Sequence, residues 1–172
     1  QRLEGEEMPV KVDGFEGGDR THLNLPKPQS ELIKALKTTG KPIVLVLLNG
    51  SAIEVNWENE NLEAILSAGY PGQEGGNAVA DVLFGDYNPA GRLPVTYYKS
   101  VEQLPAFDNY DMQGRTYRYF TGEPLYPFGY GLSYTTFKYS NLKMAGKAKA
   151  GEPVKVSVNV QNTGKMAGDE VV

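Results

Sequence analysis

The sequence predicts an α/β domain, with a mostly parallel sheet covered by helices, that runs into the beginning of an all-β sandwich. Three observations predict it. Helical and strand-like apolar patterns alternate between residues 29 and 97, as they do where helices connect parallel strands. The run Pro42-Ile43-Val44-Leu45-Val46-Leu47-Leu48 is apolar on both faces, which suits a strand lying between two layers of helices. Beyond residue 134 the apolar period becomes two, with Val154, Val156, Val158 and Val160 on one face of a strand.

The elements follow in order. Residues 1–26 are acidic and glycine-rich, and Gly14, Gly17 and Gly18 mark an irregular loop. Leu32, Ile33, Ala35 and Leu36 fall at helical spacing and predict a helix over 29–38, closed by Gly40. The buried strand follows and ends at Asn49-Gly50. A short helix is expected over 61–67 with Leu62, Ile65 and Leu66 inward, broken by Tyr70-Pro71-Gly72. Ala78, Val79, Val82 and Leu83 predict a further helix over 73–84, ended by Gly85. Residues 92–97 read as a last short strand. Residues 101–134, rich in Tyr, Gly and Pro, have no clear period and predict a long ordered loop, the kind that serves function or packs on a neighbour. Strands are expected over 135–139 and 154–160, with a turn at Asn162-Thr163-Gly164. A sandwich takes about seven strands, so this second domain is expected to be incomplete. Gln1 has no Met before it, and Asp169-Glu170-Val171-Val172 reads as a strand just starting. Both ends are therefore expected to be cuts in a longer protein.

Composition narrows the function classes. The 172 residues are 40% hydrophobic and 22% charged, with a net charge of −4. A protein that tracks phosphates needs a basic face, and Lys and Arg are scattered here, so no nucleic-acid partner is expected. No stretch reaches the roughly 18 apolar residues that cross a bilayer, so no membrane partner is expected either. With no Cys and one His, His22, thiolate sites are excluded and metal binding has little to work with. His22 lacks a nucleophile elbow beside it and reads as a loop histidine. Gln73-Glu74-Gly75-Gly76 opens a helix, where an anion is favoured. The three glycines Gly72, Gly75 and Gly76 are better explained by a tight loop and close packing. Trp57 and the tyrosines between Tyr97 and Tyr139 are either stacking platforms for sugar rings or packing between domains.

Four segments carry a resemblance. They are Glu16-Gly17-Gly18-Asp19-Arg20 with Leu25-Pro26 and Gln29; Leu47-Leu48-Asn49-Gly50-Ser51-Ala52; Tyr70-Pro71-Gly72-Gln73-Glu74-Gly75-Gly76 leading into Ala80 to Pro94; and Arg115-Thr116-Tyr117-Arg118-Tyr119-Phe120 with Tyr126 to Thr135. In this order they resemble glycoside hydrolase family 3, the β-glucosidase and β-xylosidase family. The resemblance implies that residues 1–128 are the later part of the family's C-terminal α/β sandwich domain. It implies that residues 129–172 begin a fibronectin type III-like domain. The family's N-terminal barrel, which carries an aspartate nucleophile, is not in this sequence and would be the chain's partner.

The implied reaction is retaining hydrolysis of β-linked glucose or xylose at the non-reducing ends of oligosaccharides or aryl glycosides, with no cofactor. Such chemistry uses two carboxyl groups about 5–5.5 Å apart, one attacking and one serving as acid and then base. Among family members the acid/base glutamate often stands at the first position of the segment matched by Glu16, and flanking glycines let backbone approach a sugar closely. Glu16 is thus the first candidate. The acidic run Leu3-Glu4-Gly5-Glu6-Glu7 competes, with Glu6 the second choice. Asp19 and Arg20 are candidates for binding sugar or orienting the acid, or else they pin the loop. The alternative from another class is a non-catalytic carbohydrate-binding or scaffolding module. The compartment stays open, with the periplasm or the exterior favoured over the cytoplasm.

Overall fold

The structure is a computed structural model and describes residues 13–16, 19–146 and 148–172. The chain divides into two compact units, one made of Gln1–Gly76 with Leu93–Tyr130 and the other of Asn77–Arg92 with Gly131–Val172.

The described part of the first unit opens with two short paired strands, β1 (Phe15–Glu16) and β2 (Asp19–Arg20), where the sequence predicts an irregular loop. Helix α1 spans Lys27–Lys37 with Pro28 in its first turn, where a proline has no intrahelical N–H to forfeit. Its end is closed by Thr38 and Thr39, whose hydroxyls donate to Ala35 O and Leu36 O at 2.7 Å. Gly40 follows at φ +71°.

The apolar run yields strand β3 (Val44–Leu47), which pairs in parallel with β4 (Ala64–Ser67) from Val44↔Ala64 to Leu47↔Ser67. The helix expected over 61–67 is therefore corrected to a strand, preceded by a short helix α2 (Asn56–Asn61). Leu62, Ile65 and Leu66 satisfy a helical period, but a run this short fits a strand equally, and backbone pairing with β3 decides. Glu63 fixes the register: its N–H donates to Ile43 O at 3.2 Å while its Oε2 accepts from Ile43 N at 2.7 Å.

The described residues contribute only a small part of a helix-covered sheet. Among the described residues the parallel sheet has two strands, and of β3 only Leu47 is buried while Val44 is exposed. The core of the unit lies at one end, where Leu25, Leu47, Ile53 and Val55 meet Ile33, Leu45, Ile65, Leu125 and Tyr126. Ile53 and Val55 are fully enclosed, each contributing about 1.5–3 kcal/mol through burial.

Residues 92–97 do not form the expected strand. Tyr97 makes an isolated antiparallel bridge with Tyr126, and Pro94 brings no N–H to extend it. The region 101–134 is irregular apart from a 3-10 turn at Val101–Gln103 and one helical turn, α3 (Thr116–Tyr119). Arg115 orders it by donating to the carbonyls of Ala106, Asn109 and Asp111.

In the second unit, a helix over Gly75–Phe84 begins in the first unit's last two residues and ends at Gly85, φ +82°. Strands β5 (Phe137–Ala145) and β6 (Lys155–Asn162) pair antiparallel with a bulge between Ser140 and Lys143. Val156 and Val160 are exposed. The turn after β6 is an Asx turn, with Asn162 Oδ1 accepting from Gly164 N at 3.0 Å and from Thr135 Oγ1 at 2.7 Å. The strand expected at 169–172 is absent. Instead Glu170 accepts from Arg92 Nη2 at 3.1 and 3.3 Å, with both side chains 15% exposed.

Candidate active site

Two residues, 17 and 18, separate β1 from β2, and the strands pair Glu16↔Asp19 and Phe15↔Arg20. Residues directly opposite in an antiparallel pair share a face. Glu16 and Asp19 therefore lie on one face and Phe15 and Arg20 on the other. Glu16 and Asp19 are exposed. Arg20 is half-buried and donates from Nη2 to Asn24 O at 3.0 Å, tying the second strand to the chain that follows it. The three candidates from the sequence are thus together in the chain but divided between faces. Glu6, with Glu4, Glu7, Gly17 and Gly18, lies outside the described residues.

The hairpin continues one step further, since Thr21 N donates to Gly14 O at 2.9 Å. Beyond it, Leu23 and Asn24 run alongside the loop after β3. Asn24 bridges in parallel to Glu54, and Glu54 N donates to Leu23 O at 2.8 Å. His22 sits between, half-buried, with Nδ1 enclosed and without a partner. A concavity of about 240 Å³ adjoins, lined by Asp13, His22, Asn24, Leu25, Pro26, Lys27 and Pro28. Glu16, Asp19 and Arg20 do not line it.

Sequence reasoning missed Glu54. Burial pushes its carboxyl above the ordinary range, against a hydrogen bond from Asn56 Nδ2 at 3.0 Å; the charges of Glu102 and Glu58 push the same way and His22 opposes them. Where a described carboxyl clearly departs from its ordinary ionisation, Glu54 alone moves upward. The available signal was Ile53-Glu54-Val55, one acid between two fully buried aliphatics. Glu58, on the first turn of α2, is also buried.

The other candidates divide between buried and exposed positions. A Cβ on Gly75 would meet Pro71 Cβ at 2.5 Å, so glycine there serves close approach at the helix start. Tyr97 and Tyr98 are buried, and Tyr126 stacks on Tyr130 with centroids 4.9 Å apart. Tyr117 stacks on Phe128 at 4.5 Å, and both stay exposed. Lys34 places its ammonium 5.4 Å from the Trp57 ring centre. Among the described residues no group of three or more His, Asp or Glu is placed to hold a metal ion, and no helix is long and apolar enough to cross a membrane.

Comparison with known proteins supplies the context for this arrangement. Residues 3–134 match the glycosyl hydrolase family 3 C-terminal domain. A xylan 1,4-β-xylosidase of Xylanibacter ruminicola is 56% identical over 170 residues, covering 99% of this chain and 20% of that protein. A periplasmic β-glucosidase of Salmonella typhimurium is 46% identical, covering 91% of this chain and 22% of that protein. Among solved structures, β-glucosidase 3B of Thermotoga neapolitana in complex with glucose superposes with a TM-score of 0.76 at 34% identity, over 91% of this chain and 24% of that one. The chain spans about a fifth of the length of the curated relatives it matches.

Proposed function

Because this chain belongs to glycosyl hydrolase family 3, through that family's C-terminal domain, we propose that it carries the acid/base side of a retaining exo-glycosidase whose nucleophile lies elsewhere in the protein. The substrate class is an oligosaccharide or aryl glycoside with a β-linked sugar at its non-reducing end. Xylose is placed first, because the relative at 56% identity is a xylosidase, and glucose second, after the relative at 46%. Residues 1–128 are assigned to the later part of the sandwich domain and 129–172 to the start of a fibronectin type III-like domain. The periplasm or the exterior is the proposed compartment, in keeping with the periplasmic relative.

One observation carries the site assignment. The β1–β2 hairpin holds Glu16 and Asp19 opposite each other on an exposed face, which leaves a carboxyl open to a group from outside these residues. In the proposed double displacement, an Asp of the N-terminal barrel attacks the anomeric carbon as Glu16 protonates the departing oxygen. Glu16 then takes a proton from water, which releases the sugar with retention. Asp19, paired opposite Glu16, is assigned to steer that proton, and Arg20 fixes the hairpin through Asn24 O. Glu6 is the second choice for the acid. No cofactor is needed, and this chain alone is expected to turn over no aryl β-xyloside or β-glucoside.

The test compares Glu16→Gln and Glu6→Gln in the full-length protein on alkyl and on nitrophenyl β-xylosides. Removing a proton donor should cost about 10²–10⁴-fold on the alkyl leaving group and far less on the nitrophenyl one. If Glu6→Gln alone shows that split, the role passes to Glu6. If neither does, the acid/base assignment fails and the sugar-binding module becomes the better account.

A further inference from the structure

We propose that His22 is a positioning residue, whose ring fastens the β1–β2 hairpin so that its carboxyl is held in place for proton transfer. The inference rests on the acid/base reading above.

A hairpin with two residues in each strand has almost no stability of its own, so its position must come from tethers. Those on the second strand are plain: Arg20 Nη2 to Asn24 O, the Asn24–Glu54 bridge, and Glu54 N to Leu23 O. The first strand, which carries Glu16, has its backbone pairing with β2, continued by Thr21 N to Gly14 O. Among the described residues, His22 touches its base from the side. Gly14 is buried at φ +93°, and a Cβ built there would lie 2.3 Å from His22 Nε2, 2.6 Å from Cε1 and 3.1 Å from Cδ2. The ring occupies the space a side chain would take. Gly14 and His22 are therefore a matched pair, and the glycine is required both by its left-handed backbone and by the ring against it.

Nδ1 is enclosed without a partner, so this edge of the imidazole contributes by filling volume and not by a hydrogen bond. Any flat ring of similar size should substitute. A small side chain should not, because the base of the first strand would lose its support and Glu16, two residues on, would sweep a wider arc. Misplacing a reacting group by about 1 Å costs up to about 10²-fold in rate.

The experiment uses the full-length protein with His22→Ala and His22→Phe, with His22→Leu replacing the alanine variant should that one not fold. The first readout needs no turnover: amide exchange at Thr21, whose N–H closes the hairpin on Gly14 O. It should be about tenfold faster in His22→Ala and unchanged in His22→Phe, since local opening sets the exchange rate. The second is kinetic. His22→Ala should lower kcat on an alkyl β-xyloside about tenfold or more with KM changed by less than about twofold, and His22→Phe should restore kcat. Unchanged Thr21 exchange in His22→Ala overturns the proposal. So does a phenylalanine variant as slow as the alanine one, which would make the imidazole chemical. Should Glu16→Gln and Glu6→Gln both lack the leaving-group split, the acid/base reading fails separately, while Thr21 exchange still decides whether His22 holds the hairpin.

Discussion

Replacing Asn88 should loosen the second unit, and its geometry lets the size be worked out. Asn88 is 4% exposed. Its Nδ2 donates to Ala167 O at 2.9 Å, and its Oδ1 accepts from Ser133 Oγ at 2.9 Å and from Tyr134 N at 2.7 Å. Gly168 packs so closely that a Cβ would stand 2.4 Å from Nδ2. In Asn88→Ala the Ser133 hydroxyl can turn elsewhere, but Tyr134 N–H and Ala167 C=O each lose a partner, at about 1–3 kcal/mol apiece. A total of about 3–4 kcal/mol is expected. Asn88→Asp separates the components. It keeps both acceptor bonds but sets a carboxylate oxygen against Ala167 O, at a cost of about 2 kcal/mol at neutral pH. Protonation restores a donor, so the folded pKa of this new Asp is raised above its unfolded value. The deficit should therefore shrink as pH falls through that folded pKa toward the unfolded value near 4. Native-state hydrogen exchange at Thr163, whose N–H donates to Thr136 O at 2.8 Å, reads these local free energies. An alanine variant within about 0.5 kcal/mol of the parent, or an aspartate variant equally impaired at pH 4 and pH 7, would refute the reasoning.

Two further outcomes follow from the first unit. Glu63 is held down to about 2 by the Ile43 N–H first and the Lys37 ammonium second. A carboxyl depressed in the fold adds stability that is complete above its unfolded pKa, near 4.3, and is lost as pH falls toward 2. Glu63→Gln should therefore flatten the dependence of the unfolding midpoint on pH below that value, and parallel curves for variant and parent would contradict it. Tyr97 is 4% exposed, and its hydroxyl accepts from Asn49 Nδ2 at 3.1 Å and lies 3.4 Å from Ser67 Oγ. Tyr97→Phe should cost about 1–2 kcal/mol in thermal unfolding, against less than about 1 kcal/mol for Tyr126→Phe, whose bond to Asn59 Oδ1 faces solvent. The reverse order would be a failure.

The elements legible in the sequence are those specified by their own residues. The helix expected over 29–38 is found at Lys27–Lys37, and that over 73–84 at Gly75–Phe84. Each is a helix of ten or eleven residues and is followed by a glycine at positive φ, Gly40 or Gly85. The misread elements are those decided at a distance. Strand β4 depends on bonding to β3, about twenty residues earlier. Helix α2, Asn-Trp-Glu-Asn-Glu-Asn, has no apolar stripe, and the side chain it buries is a glutamate. The single bridge at Tyr97 was overestimated as a strand because propensity does not register what Pro94 removes.

The candidate site shows the same division in sharper form. Glycines beside Glu16 and an Asp-Arg pair are visible as letters, and the family resemblance rests on them. That Glu16 faces Asp19 while Arg20 turns to the other side is a matter of register, which spacing alone does not fix. Glu54 leaves only a faint trace in the sequence, one acid between two aliphatics, because its upward shift comes first from burial, a property of the folded unit. A proton donor must be both well placed and shielded from water. Here the two requirements fall on different residues: Glu54 is shielded but sits in the loop after β3, whereas Glu16 projects on the hairpin and is exposed. On the proposed reading, this chain contributes reach and orientation through the hairpin, Gly14 and His22. Whatever encloses Glu16 in the whole protein must then come from outside these residues, which leave it exposed.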